Sequence, residues 1–263
     1  MSNTLSLLDL IKLLSAISMV FYIAAVPLHI WAKKTPAFFH LTFFTGFAVN
    51  VAIVVINTVE NGYVPFVTMY QVMTFISMVF YLTFLFFAKA YKAYWMGRYF
   101  ALAPIFFLTG SLILEFKDVV TPLQPILQSP FFFPHISLYM LSYALCAVAF
   151  IISIVSLFTQ KPEYKKAYNF GIYRLIAISF PFMTTGMMVG AIWANQAWGN
   201  FWSWDIKENW SLITWLFYGL YLHLRRIEKF KKYAIWFAIA GFVALLMTLI
   251  GVNIIGVGRH AYS

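Results

Sequence analysis

Residues 136–158 read ISLYMLSYALCAVAFIISIVSLF, an apolar run without Asp, Glu, Lys or Arg. A helix rises about 1.5 Å per residue, so a helix of this length crosses the roughly 30 Å hydrocarbon core of a bilayer. The whole chain has a similar character: 63% of its 263 residues are hydrophobic, 10% are charged, and the mean hydropathy is +0.83. Soluble domains are near half apolar and a quarter charged, so a water-soluble fold is excluded.

Apolar runs on both sides of this segment, separated by charges and by Pro or Gly, indicate seven further spans. The eight predicted spans cover residues 10–31, 37–57, 72–88, 98–114, 136–158, 171–193, 210–225 and 233–256. Eight spans of roughly 20 residues use about 160 residues and leave only short connections. The sequence therefore predicts an all-α polytopic membrane protein that forms one domain over residues 1–263.

Positive charges are distributed unevenly between alternate loops of this topology. Fourteen of the 18 Lys and Arg fall on one side, mainly in segments 161–174 and 225–232. Since Lys and Arg accumulate on cytoplasmic loops, we expect both termini and the loops near 58–71, 115–135 and 194–209 to face outward. The formal net charge of +10 is explained by this topology and does not indicate nucleic-acid binding.

The single cysteine, Cys146, lies inside the run 136–158. A lone cysteine excludes an internal disulfide and a CxxC redox or zinc pair, so Cys146 is predicted to be a small buried hydrophobe. The N-terminal residues MSNTLSLLDL carry no basic residue before the first apolar run, which argues against a cleaved signal peptide.

The most unusual segment follows the sixth predicted span. Residues 193–210 read WANQAWGNFWSWDIKENW and hold five of the nine tryptophans. An interfacial aromatic belt is the ordinary explanation, but a belt is shared among all span ends and is not concentrated in one connection. If the segment is helical, Trp198 and Trp202 stack four residues apart while Trp204 points elsewhere. Their indole faces and N–H donors would then suit a large planar ligand with polar edges.

Two histidines are predicted at the level of this segment. His135 lies at the outer end of the fifth span and His260 at the outer end of the eighth. Either one alone is most simply an interfacial residue, but two imidazoles beside an aromatic shelf suggest bis-axial ligation of haem iron. Arg259 could pair with a haem propionate or, equally, extend toward the membrane surface.

The other three histidines, His29, His40 and His223, are predicted at the cytoplasmic end of the spans. His223 precedes Arg225 and Arg226, so a role facing lipid headgroups is a serious alternative for it. Ionisable residues within a membrane are costly and are by default functional candidates. A second, inner haem site at His223 is therefore conceivable.

At these residues the chain resembles the CcsA (ResC) family of cytochrome c biogenesis proteins, part of a haem-handling group defined by a WWD domain. Residues 198–208, WGNFWSWDIKE, match the family signature WGxxWxWDxKE. Segments 62–70, 135–143 and 251–260 resemble the loop before the third span of the family and its two external histidine segments. Residues 221–225 resemble the segment that bears its intramembrane histidine.

The resemblance implies a component of a cytochrome c synthase, or haem lyase. Haem b would cross the membrane by way of the inner site, be held at the outer WWD site between His135 and His260, and be offered to apocytochrome c. There its vinyl groups react with the thiols of a CxxCH motif. The residues implied to surround the outer haem are Trp193, Trp198, Gly199, Trp202, Trp204, Asp205, Trp210 and Arg259.

The resemblance also implies a CcsB (ResB) membrane partner, whose histidine would face His223; His29 and His40 are the alternatives within this chain. A thiol-reducing, thioredoxin-like protein is a further possible partner, and the location would be a bacterial inner membrane or a thylakoid-type membrane. Relatives often carry an acid where this chain has Gln71, which puts an acid-dependent role of that loop in doubt.

Several other interpretations are weaker. Within the haem-handling group, CcmC has fewer spans and a less similar WWD segment, and CcmF is much longer. A di-haem electron-transfer subunit of the cytochrome b type would stack its histidine pairs across facing helices and would need no tryptophan shelf. A small-molecule transporter would place charges at mid-membrane, whereas the acids of this chain cluster outside the predicted spans.

Overall fold

The computed structural model describes residues 6–31, 36–113 and 122–255, and its regular structure in these ranges is helical. In chain order the α-helices are α1 (Leu7–Trp31), α2 (Pro36–Asn61), α3 (Met69–Ala90), α4 (Gly97–Ile113), α5 (Phe132–Phe158), α6 (Pro162–Trp198), α7 (Ile206–Leu224), α8 (Ala234–Leu246) and α9 (Val252–Ile255). The shorter elements are 3-10 turns at Tyr94–Met96, Pro125–Gln128 and Lys231–Tyr233 and a π-helical turn at Met247–Gly251.

Within the described ranges, seven helical segments are long and apolar enough to cross a membrane. They are α1 to α6, with α4 counted from Tyr94, and the segment Lys231–Gly251 that contains α8. The seventh predicted span, 210–225, corresponds to α7, which is not among these segments because its first turn carries Lys207 and Glu208 and its apolar part is shorter. The prediction of an all-α polytopic membrane protein is confirmed.

The chain divides into two compact units, residues 1–124 and residues 125–263. In the first unit, α1 and α3 each pack against both α2 and α4. In the second unit, α5 packs along α6 and α7 along α8, and further contacts join α5 to α8 and α6 to α7. The prediction that residues 1–263 act as one domain stays a prediction.

The first unit holds the loop between α2 and α3 close to its core. The side-chain oxygen of Gln71 accepts hydrogen bonds from the backbone N–H groups of Val67, at 2.9 Å, and Thr68, at 3.2 Å. Phe66 is 1% exposed, and its ring lies 4.6 Å from that of Phe75. Phe66 and Val67 of this loop are therefore part of the folded interior, whereas Val64 is exposed.

Helix α6 differs most from its predicted span of 171–193, because it begins at Pro162 and ends at Trp198. Proline suits a first helical turn, where its missing N–H has no partner to lose. Gly199, at φ 76°, ends the helix in the left-handed conformation that glycine adopts without strain. The 37 residues extend about 55 Å, well beyond the hydrocarbon core, because the first turns are polar and lie outside the apolar run.

Cys146 lies on α5 and is completely buried, which confirms its prediction as a small interior residue. Its Sγ atom is 3.3 Å from the hydroxyl of Ser179 on α6. The thiol therefore contributes to the packing between α5 and α6.

Candidate functional site

His135 lies in the first turn of α5 and packs against α6. Its Nδ1 atom is 2.8 Å from the carbonyl oxygen of Gly186. Because a carbonyl oxygen only accepts, Nδ1 carries the proton, and the lone pair of the neutral ring is on Nε2. A Cβ atom at Gly190 would overlap the His135 ring, so the ring fits only because this position of α6 lacks a side chain. The packing of α5 on α6 thus fixes both the position and the tautomer of His135.

His135 also contacts the tryptophan-rich end of α6. Its ring centroid is 5.8 Å from that of Trp193, with an interplanar angle of 31°. Trp193 is 5% exposed and contacts the rings of Phe132, at 5.3 Å, and Trp198, at 5.2 Å. The Trp193 indole N–H donates to the carbonyl of Ile126 at 3.0 Å. The predicted iron ligand and the first two tryptophans of the segment therefore lie in one aromatic cluster.

After α6 the tryptophan-rich segment continues as an irregular loop, residues 199–205, which we call the tryptophan loop, and then enters α7. The prediction that a helix stacks Trp198 on Trp202 is wrong, because α6 ends at Trp198. Trp202 instead packs edge-on against Trp204, with ring centroids 6.1 Å apart and planes at 84°. Trp204 has a positive φ of 59° and is 69% exposed. The loop therefore presents an aromatic side chain outward.

The first turn of α7 holds the end of the tryptophan loop. Asp205 caps α7, and its Oδ1 atom accepts from the backbone N–H of Lys207 at 2.9 Å. The Glu208 carboxylate accepts from the backbone N–H groups of Ser203, at 2.8 Å, and Asp205, at 3.2 Å, and from the Ser203 hydroxyl at 3.1 Å. This is a capping box, a motif that the sequence D-x-x-E already contains.

Lys207 connects this turn to the C-terminal helical segment. Its ammonium nitrogen is 3.3 Å from Oδ1 of Asn253, whose own amide donates to the carbonyl of Leu249 at 2.6 Å. Burial lowers the pKa of Lys207 to about 8, although the charge of Asp205 acts in the opposite direction. Asn253 precedes His260 by seven residues in the sequence. Asn253 is thus joined to the first turn of α7 by the Lys207 side chain.

His260 and Arg259 lie outside the described residues, so the pairing of His135 with His260 stays a prediction. Among the residues that the structure describes, no cluster of three or more His, Cys, Asp and Glu could hold a metal ion. The indole nitrogen of Trp202 is buried and has no hydrogen-bond partner in the same described ranges. Trp210 lies in the second turn of α7 and is half-buried.

The histidines predicted at the cytoplasmic end fall into both units. His223 lies in the last turn of α7 and is exposed. In the first unit, His29 and His40 both contact the Tyr94 ring, at 5.2 Å and 5.6 Å, and His29 Nε2 is 2.8 Å from the Tyr94 carbonyl oxygen. The close approach of His29 depends on Gly97, where a Cβ atom would overlap the imidazole. The structure thus brings His29 and His40 together around one aromatic ring.

The residues that position His135 were not predicted from the sequence. Gly186 and Gly190 form a G-x-x-x-G pair, which is a known signal for close helix packing in membranes. The side chain that such a pair accommodates depends on which helix packs there, and this was not known from the sequence. The hydroxyls of Tyr139 and Ser211, 2.7 Å apart, join α5 to α7 and have no comparable signal.

Comparison with known proteins identifies the class to which this fold and site belong. A family model described as "Cytochrome C assembly protein" matches residues 7–260. The chain therefore belongs to the cytochrome c assembly protein family. It is similar to the CcsA cytochrome c biogenesis protein of Guillardia theta, 30% identical over 236 residues that cover 78% of each chain. It is 33% identical to CcsA of Marchantia polymorpha over 258 residues, which cover 78% of this chain and 80% of that protein. These matches confirm the resemblance found in the sequence.

Two further similarities cover about half of the other protein. CcsA of Chlamydomonas reinhardtii is 40% identical over 168 residues, 60% of this chain and 47% of that protein. The solved structure named "Cytochrome c Heme Lyase CcmF" superposes with a TM-score of 0.72 at 17% identity, covering 95% of this chain and 47% of that one. At this level of identity, the similarity to CcmF shows a shared fold.

Proposed function

We propose that this protein acts in cytochrome c maturation, as part of a haem lyase, by holding haem b at an outer site and presenting it to apocytochrome c. Family membership supports the process. The observation that carries the site is the placement of His135, whose tautomer is set by Gly186 and whose ring lies against Trp193. A metal-binding imidazole beside a surface of flat indoles is the arrangement that a haem requires.

In this proposal haem is the substrate, and its iron is ligated by Nε2 of His135 and by His260. The hydrogen bond from Nδ1 to a carbonyl orients a ligating imidazole and raises its basicity. The buried Trp202 indole N–H would donate to a haem propionate, because a buried donor normally has an acceptor. The Trp193 N–H already donates to the carbonyl of Ile126, so it is not the donor proposed for a haem propionate. The proposed haem contacts are Trp193, Trp198, Gly199, Trp202, Trp204, Asp205, Trp210 and Arg259.

The proposed reaction requires no thiol from this chain. Each thioether bond forms when a client thiol adds across a haem vinyl group, sulfur to one carbon and hydrogen to the other, without net oxidation. A thioredoxin-like protein would keep the client cysteines reduced before this addition. The buried Cys146 takes no part in it.

The membrane orientation predicted from the sequence is consistent with this arrangement. The excess of positive charge on one set of loops predicts that the tryptophan loop and both termini face away from the cytoplasm, in a bacterial inner membrane or a thylakoid-type membrane. An impermeant maleimide added to intact cells should label Asn200→Cys and leave Lys229→Cys unlabelled. Equal labelling of both positions from outside would contradict the topology.

An inner haem site at His223 is proposed to need a CcsB (ResB)-type membrane partner that supplies the second axial ligand. A single imidazole leaves haem iron one strong ligand short, and the exposure of His223 leaves it accessible to a partner. His223→Gly should lower the haem retained by the partner complex, and added imidazole should restore part of it. Unchanged haem content would assign His223 to the headgroup region instead.

The main test concerns the outer pair. His135→Ala and His260→Ala should each reduce the yield of c-type cytochrome more than tenfold, and the double variant should be little worse, because residues that act as a unit are not additive. The yield and the haem absorption spectrum of each purified variant would be measured together. Full maturation without both histidines would rule out the ligand assignment.

A pair of tryptophan variants separates the site from general effects of losing an indole. Trp202→Ala should lower haem retention without changing the axial-ligand spectrum of the haem that remains. Trp236→Ala removes an indole that is exposed on α8 and should change neither property. Equal haem loss in both variants would indicate a membrane-anchoring role for Trp202.

A further inference from the structure

A basic cavity of about 570 Å³ lies in the second unit, beside the N-terminal part of α6. Five cationic side chains line it: Lys165, Lys166 and Arg174 from α6, Arg225 from the end of α7, and Lys231 from the turn before α8. Within the described ranges, no acidic side chain lines the cavity, although Glu228 nearby pairs with Lys231 at 3.0 Å. The cavity therefore has a large excess of positive charge.

The guanidinium groups of the cavity rest on aromatic rings. Arg225 lies 5.0 Å above the centroid of Tyr173, and its Nη1 atom is 3.3 Å from the hydroxyl of Tyr221. Arg174 lies 5.4 Å from the ring of Phe170, which also lines the cavity. Stacking on a ring orients a guanidinium without neutralising it, so both groups keep their charge for an anionic ligand.

The length of α6 places this cavity at the membrane surface. Trp193, at the other end of the helix, and Arg174 are 19 residues apart, which is about 28 Å and matches the hydrocarbon thickness. Residues 162–173 then lie at and beyond the level of the headgroups. By the distribution of charges, this is the side predicted to be cytoplasmic.

We propose that the cavity binds the phosphate group of an anionic phospholipid, with phosphatidylglycerol as its simplest ligand. Phosphate oxygens accept charge-assisted hydrogen bonds from Arg and Lys, and basic pockets between membrane helices at this level suit anionic headgroups. Phe170 is exposed at the cavity, and Ile227 and Phe230 are exposed in the segment between Arg225 and Lys231. Such apolar side chains favour a ligand with acyl chains over a free phosphate ion.

Native mass spectrometry of the full chain in detergent would test this proposal, which does not depend on the proposed haem function. The protein would be titrated with dioleoyl phosphatidylglycerol, with dioleoyl phosphatidylcholine, and with inorganic phosphate as a competitor. We expect one tightly bound phosphatidylglycerol per chain. Lys165→Gln with Lys166→Gln should weaken its binding about 30-fold, since a lysine near the surface contributes about fivefold to the affinity for an anionic lipid.

The matched control is Lys229→Gln with Lys232→Gln, which removes two charges from the same side without touching the cavity lining. It should bind phosphatidylglycerol as the wild type does, and Lys165→Arg with Lys166→Arg should also retain binding. Equal weakening in both glutamine variants would overturn the proposal, because it would show a response to net charge alone. Equal affinity for phosphatidylcholine, or displacement of the lipid by an equal concentration of inorganic phosphate, would also overturn it.

Discussion

Two loops of this protein end in the same way and differ in what they expose. The loop at residues 62–68 and the tryptophan loop each lead into a helix, and each is held by the third residue of that helix, Gln71 in α3 and Glu208 in α7. In the first loop Phe66 is 1% exposed, whereas in the tryptophan loop Phe201 is 59% exposed. The same type of hydrogen bonding therefore holds one loop whose aromatic side chain is buried and one whose aromatic side chains are exposed.

The difference in exposure supports the proposal that the tryptophan loop contacts haem. Exposed aromatic side chains contribute little to the fold, and a concentrated group of them usually marks a binding surface. The difference between the two holding residues has a physical basis too. Gln71 is fully buried, where a carboxylate would be costly, while Glu208 is half-buried and accepts three hydrogen bonds. The amide at position 71 therefore fits a structural loop.

The largest expected effect comes from displacing His135, the predicted haem ligand. Gly190→Ala should reduce the yield of c-type cytochrome more than tenfold, because its Cβ atom would overlap the His135 ring. Gly219→Ala is the matched control on α7, where a Cβ atom would meet Phe180 at an ordinary 3.6 Å. Haem staining of c-type cytochromes checks both variants. Normal maturation in Gly190→Ala would show that the position of His135 is unimportant.

A smaller effect is expected from removing the residue that holds each loop, and it should differ between the two loops. Gln71→Ala leaves the buried N–H of Val67 without its acceptor, which costs about 1–3 kcal/mol, so it should lower the Tm while leaving haem retention per folded chain unchanged. Glu208→Ala removes the acceptor of the Ser203 and Asp205 backbone N–H groups, which water can reach, so the Tm should change little. Haem retention should fall because the tryptophan loop is no longer held. Scanning fluorimetry and the haem-to-protein ratio measure the two effects. Haem loss in Gln71→Ala but not in Glu208→Ala would mean that the loop at residues 62–68 is the one that contacts haem.

The smallest expected effect is a pH dependence at the junction of the tryptophan loop with α7. The pKa of Lys207 is about 8 in the folded protein against 10.5 for an ordinary lysine. Between pH 8 and pH 10.5, Lys207 keeps its proton in the unfolded chain and has lost it in the folded chain. The free energy of unfolding should therefore increase with pH in this range. The Tm of the wild type relative to Lys207→Met should therefore increase from pH 7.5 to pH 9.5. A constant difference would show that Lys207 is normally solvated.

The positions of the helices were predictable, and several of their ends were not. Each predicted span contains a helix, because long apolar runs have few alternatives in a bilayer. The first turns of α6, from Pro162, and of α7, from Ile206, were missed because they are polar. The π-helical turn at Met247–Gly251 divides the eighth predicted span and has no simple hydropathy signal.

The composition of the candidate site could be predicted, but its geometry could not. The tryptophans and His135 are visible in the sequence because their residue types are unusual there. Gly199 adopts a left-handed conformation and ends α6 inside the tryptophan-rich segment. The sequence was equally compatible with a helix that continued through this position. The fit of His135 over Gly190 depends on the packing of α5 against α6, which is a tertiary property.

The burial of Cys146 has a consequence for the redox behaviour of the protein. Thiol–disulfide exchange requires an accessible thiolate, and the only cysteine of this chain is enclosed between α5 and α6. In the proposed function, the protein would therefore bind a client that carries two reactive thiols without forming a mixed disulfide with it. Thiol oxidants and reductants that act on the proposed client would leave Cys146 unchanged, so a redox dependence of the activity would come from the client thiols and from the haem iron.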